Sequence, residues 1–153
     1  MINIINRLYI FIFAAVTVLS SFSQENIIST SQITYKAAID IAAFGVFSYK
    51  LGSTVTFHEN WQHKDQANSI LTSDILMAAS SGIVLATDFL HSSTKLKKPL
   101  LWTARTGYLA AIASTIIWSL TSPYAEGENR IAMGIGEILP AIAGFALTFL
   151  PDY

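Results

Sequence analysis

Three stretches of about twenty residues, 70–90, 100–120 and 131–150, carry only four formally charged side chains between them: Asp74, Asp88, Arg105 and Glu137. Each is long enough to cross a hydrocarbon core of about 30 Å as an α-helix rising 1.5 Å per residue. Inside lipid the backbone must satisfy its own hydrogen bonds, which restricts spanning segments to helices and closed barrels. Period-two alternation of apolar and polar residues is weak throughout, so the chain reads as all-α, a polytopic transmembrane helix bundle.

Composition agrees. Charged residues make up 12% of the 153-residue chain and hydrophobic residues 52%. A soluble domain carries about 25% charged residues, and a short one has a large surface to cover with them. The net charge of −1 gives no electrostatic footprint for nucleic acid, whose binding draws on clustered Lys and Arg. The one basic cluster, Lys95, Lys97 and Lys98, lies between two apolar segments and reads as a topology signal. With no cysteine, disulfides, thiolate metal sites and Cys nucleophiles are excluded.

Residues 1–23 have the layout of a secretory signal. Arg7 is a short positive region, 8–19 is an apolar core, and Ser21 and Ser23 are small residues before Gln24. Such a segment is either a cleaved signal peptide or, extended by Ile2, Ile4 and Ile5, a retained signal anchor. Residues 24–35 are polar and read as a linker; 36–153 form the bundle. Segment A, 36–57, precedes B (70–90), C (100–120) and D (131–150), giving three to four membrane segments after the amino-terminal helix. Segment A is the weakest, because Lys36, Asp40 and Lys50 lie in it and charges at the centre of a membrane helix are costly.

Two topology rules collide at segment A. The Lys95–Lys98 loop belongs on the cytoplasmic side and the acidic turn of Glu126 and Glu128 outside. Segment B then starts outside. A signal sequence also leaves Gln24 outside, so both ends of A fall on one side. Either A lies along the surface and both rules hold, or A spans and one fails. Insertion of the amino-terminal helix with its amino end outside is a third solution. The reading adopted is four embedded segments, in a multi-pass protein of an inner or plasma membrane.

The polar residues fall in stripes. On B, Asp74, Ser81 and Asp88 recur every seven residues beside Ser73, Ser80 and Thr87. On D, Gly134, Glu137, Ala141, Gly144 and Thr148 share a face, and on C Thr103, Gly107, Ala110 and Ser114 do. Such stripes let membrane helices approach closely. Asp74, about one turn into B, and Glu137, about two turns into D, are expected at similar depth as a candidate intramembrane polar site. Two carboxylates close together in a low-dielectric site cannot both ionise freely, and such a pair can bind a cation or shuttle a proton. Arg105 and Asp88, both towards the lysine-rich side, are expected to form a structural ion pair. Pro140 would free the Gly136 carbonyl and kink D.

No catalytic residues, metal ligands or cofactor-binding residues are read from the sequence. His58 and His63 are five residues apart and share no helix face, and His91 lies across the membrane from both. No Gly-x-Ser-x-Gly or phosphate-binding glycine loop is present. Three functional readings remain: a non-enzymatic structural or accessory subunit of a membrane complex, a small oligomeric channel or proton/cation-coupled transporter using the intramembrane carboxylates, and, least supported, an enzyme acting on lipid. The expected partners are the lipid bilayer and a membrane-protein partner or further copies of the chain, with no nucleic acid.

Overall fold

A computed structural model describes residues 35–90, 95–125 and 127–150. The signal or anchor, all of the linker but Tyr35, and His91 lie outside the described residues. Helix α1 covers Tyr35–Phe57, a 3₁₀ turn covers His58–Asn60, α2 covers Lys64–Asp88 and α3 covers Lys97–Thr121. The last segment is one helical rod in three parts: α4 at Gly127–Met133, a π-helical turn at Gly134–Ile138, and α5 at Leu139–Leu147. The architecture is an all-α bundle. Helix α2, α3 and the 130–147 part of the last rod are long and apolar enough to cross a membrane; α1, with its three charges, is not among them.

Helix α1 nevertheless runs lengthwise along α2. Lys36 meets Asp88 near the start of α1, Lys50 and Thr54 meet Asp74 further on, and His58 Nε2 lies 2.9 Å from Asn68 Oδ1 at the far end. Partners that step down one helix as they step up the other define an antiparallel hairpin. Helix α1 therefore lies alongside α2 for most of its length.

Helix α3 packs on the other side of α2. A β-carbon added at Gly107 would lie 2.1 Å from Ser80 Oγ, so glycine is what admits this approach. The rod closes on α3 in the same way: a β-carbon at Gly144 would lie 2.3 Å from the ring of Tyr108, which is itself fully buried. The small-residue stripe of D is therefore used within the chain. On α3 the buried face is Ala104, Tyr108, Ala111, Thr115 and Trp118, one residue on from the stripe expected from sequence. Thr103 and Ala110 are exposed. The sequence reading favoured small side chains, whereas Tyr108 and Trp118 bury the larger area and orient the helix.

The bundle buries a set of charged and hydroxyl side chains within its apolar core and turns large apolar side chains outward. Its buried set includes Lys36, Asp40, Asp74, Glu137, Ser73 and Thr87, while Val46, Leu109, Ile117, Ile131 and Leu139 are exposed. A soluble fold buries its large aliphatic side chains and keeps its charges wet. Exposed apolar faces on successive helices are the arrangement that lipid stabilises.

Both carboxylates lie further from their helix starts than the apolar runs suggested. Helix α2 begins at Lys64, so Asp74 is ten residues in, about 15 Å from the helix start. The last rod begins at Gly127, the residue that turns the chain into it with φ +45°, a left-handed conformation in which any side chain would be strained. Glu137 is then midway between Gly127 and Leu147. Polar residues at both helix starts hid these extra turns.

Candidate functional site

The charges of α1 are each spent on a partner. Lys36 and Lys50 are fourteen residues apart, and so are Asp74 and Asp88. Fourteen residues are almost four helical turns, so each pair sits on one face. In an antiparallel hairpin the two faces then meet twice, with opposite charge at both levels.

At the first level Lys36 Nζ donates to Asp40 Oδ2 at 2.6 Å and to Asp88 Oδ1. All three side chains are at most 5% exposed. At the second level Lys50 Nζ donates to Glu137 Oε1 at 2.6 Å and to Asp74 Oδ1, and Thr54 Oγ1 donates to Asp74 Oδ2 at 2.5 Å. Asp74 is fully buried and Glu137 nearly so, whereas the Lys50 side chain is 27% exposed. Three helical segments converge on this second centre, near mid-length of α2 and of the rod.

The structure thus brings Asp74 and Glu137 to one ammonium. Sequence reasoning missed Lys50, because its charge counted only as a cost to segment A; the matched spacing with Asp74 and Asp88 was the signal that could have found it. Glu137 projects from the π-helical turn. There the N–H of Leu139 reaches back to the carbonyl of Gly134, five residues earlier. Pro140 follows at once; lacking an N–H, it cannot bond the Gly136 carbonyl and its ring crowds it. The wider turn relieves that crowding, and such turns recur at functional sites.

Arg105 and Asp88 are not brought together. Arg105 donates from Nε to Thr148 Oγ1 and from a terminal nitrogen to the Thr148 carbonyl, both at 3.0 Å. Its guanidinium also lies 3.9 Å from the centre of the Phe149 ring and 5.0 Å from that of Trp102. The expected pair is replaced because Lys36 supplies Asp88 with a closer cation from α1, while the rod's end offers Arg105 carbonyl, hydroxyl and aromatic acceptors.

Near the opposite end, Asp65 accepts from Trp118 Nε1 at 3.0 Å and from Ser122 Oγ, and His63 stacks on Tyr124 at 4.1 Å between ring centres. These contacts fasten the α2–α3 hairpin. Among the described residues no three His, Asp or Glu side chains are grouped to hold a metal ion.

Comparison with protein-family models, with curated proteins and with solved structures gives no match. The helices alone define the class: a small multi-pass helical membrane protein.

Proposed function

We propose that the chain handles protons or small monovalent cations within an inner or plasma membrane, as a small transport or coupling component acting through Lys50, Asp74 and Glu137. The observation that carries this reading is the convergence of one ammonium and two carboxylates from α1, α2 and the rod near mid-length of the bundle. A centre of that kind is costly to keep in a membrane unless it has work there. A single bundle of this size encloses little room for a pathway, so the reading takes an oligomer as the working form.

Small-residue stripes free to face a partner would support an accessory subunit, yet Gly107 and Gly144 are used within the chain against Ser80 and Tyr108. One observation still favours it. Both lysines of α1 are matched by carboxylates inside the chain, so the two centres also act as clamps holding α1 in the bundle. Nothing in the donor set favours an enzyme acting on lipid.

Proteoliposomes carrying a pH-sensitive dye, driven by a potassium diffusion potential, separate the two readings. Proton uptake in the wild type that is lost in Glu137→Gln is the result expected. A folded wild-type protein that conducts neither protons nor sodium would leave the accessory-subunit reading in place.

A further inference from the structure

The second centre is unbalanced. Lys50 contributes one positive charge and Asp74 and Glu137 two negative ones, in a place where the two acids are almost fully buried. No further cation reaches it from α3, whose charged residues, Lys97, Lys98 and Arg105, all lie towards its first turns. A net charge held away from water is strongly unfavourable.

The two acids differ in how they are satisfied. Asp74 has both oxygens engaged, Oδ1 by Lys50 and Oδ2 by Thr54. It is saturated as an ionised carboxylate, which only accepts. Glu137 has Oε1 engaged by Lys50 and Oε2 without any partner. Beside it on α2 stands the fully buried hydroxyl of Ser73, within reach of the Glu137 carboxyl but with no well-formed hydrogen bond of its own. Two buried polar atoms left open next to each other are unusual, since such atoms normally find partners.

We propose that this centre is a proton-binding site: one proton resides on Glu137 Oε2 and is donated to Ser73 Oγ, while Asp74 stays ionised against Lys50. One proton removes the charge excess, and it is this excess that calls for the proton, since the Ser73 hydroxyl can pair with Oε2 in either protonation state. A metal cation fits less well, because Lys50 Nζ already occupies the cation position 2.6 Å from Glu137 Oε1 and would repel a second cation beside it. The first centre has the same ratio of one lysine to two acids, with Asp88 Oδ2 open, but among the described residues no open buried hydroxyl stands beside it. The inference deepens the proposed function by naming the ion and the atom that holds it, although the site itself would stand without transport.

Infrared spectroscopy of the full chain in lipid nanodiscs at neutral pH tests this. The wild type should show a protonated-carboxyl C=O stretch that shifts in D₂O. Glu137→Gln should lose one carboxyl equivalent per chain and no carboxylate. Asp74→Asn should lose the same band, because the single remaining acid is then held ionised by Lys50. Ser73→Ala should keep the band but move it to higher frequency, as the carboxyl loses its acceptor; this variant serves if Glu137→Gln fails to fold. Loss of a carboxylate band in Glu137→Gln would overturn the proposal. So would a Ser73→Ala spectrum identical to wild type, or a carboxylate band that moves with sodium at constant pH. Proteoliposomes that conduct no protons, from protein with the Glu137 carboxyl band intact, would defeat the transport reading and leave this site standing.

Discussion

Lys50→Met removes the ammonium shared by Asp74 and Glu137 while keeping a side chain of similar reach and apolar stem. Asp74 then keeps only Thr54 as a donor, in a position with no exposure to solvent. Breaking a buried ion pair by deleting one partner costs about 3–5 kcal/mol. Lys50 is itself 27% exposed, and its own desolvation is correspondingly incomplete. Glu137, once protonated, also needs no counter-ion. Both considerations put the loss towards the low end, about 3 kcal/mol. The double variant Lys50→Met with Asp74→Asn removes the pair as a unit and should recover half of the loss or more. Helicity followed through a denaturing-detergent titration, starting from a mild detergent, reads both. A midpoint for Lys50→Met equal to that of the wild type would refute the reasoning. A double variant no better than the single one would refute it equally, since the damage would then not lie in the orphaned carboxylate.

Three further outcomes follow from the packing. In a double-mutant cycle, Lys36→Met and Asp88→Asn should couple by about 1 kcal/mol or more, whereas Arg105→Gln and Asp88→Asn should add independently, as sites without a shared contact do; unfolding midpoints in detergent check both. Gly144→Ala places a methyl group against the buried Tyr108 ring and should cost about 1–3 kcal/mol; Gly134→Ala, which meets nothing within 4 Å, should be tolerated in the same assay. Recovery of a folded, monodisperse chain should require detergent or lipid, checked by size-exclusion chromatography; a monodisperse helical chain in plain buffer would contradict the membrane reading.

The helices of segments B, C and D were legible because long apolar runs leave few alternatives. The buried polar face of α2, with Ser73, Ser80, Ser81 and Thr87, followed from helical periodicity. What escaped was pairing. Lys50 and Glu137 are 87 residues apart and Lys36 and Asp88 are 52 apart, and no local pattern links them. The sequence reading matched ions by depth alone, which favoured Arg105 for Asp88 and left the lysines of segment A as unexplained cost. Reading α1 and α2 as an antiparallel hairpin turns the equal spacing of Lys36–Lys50 and Asp74–Asp88 into a prediction of both centres. The π-helical turn was half legible: Pro140 marked the place, but nothing in the local sequence says that the backbone relieves the crowding there by widening to a five-residue bond.

With α1 lengthwise beside α2, a spanning α1 means either that one of the two topology rules fails or that the amino-terminal helix is inserted with its amino end outside. Tyr35 lies at the same end as Asp88 and the lysine-rich loop, and Asn60 at the end of Asp65 and Tyr124. If the lysines are cytoplasmic, Tyr35 lies on the cytoplasmic side too. Single cysteines at Tyr35, Asn60, Ser93 and Tyr124, in a chain that has none of its own, probe this directly with an impermeant thiol reagent on intact and permeabilised cells. The account predicts labelling of Asn60 and Tyr124 in intact cells, and of Tyr35 and Ser93 only after permeabilisation. Labelling of Tyr35 and Asn60 from the same side would mean that α1 does not cross, and would contradict the bundle on which both ion centres depend.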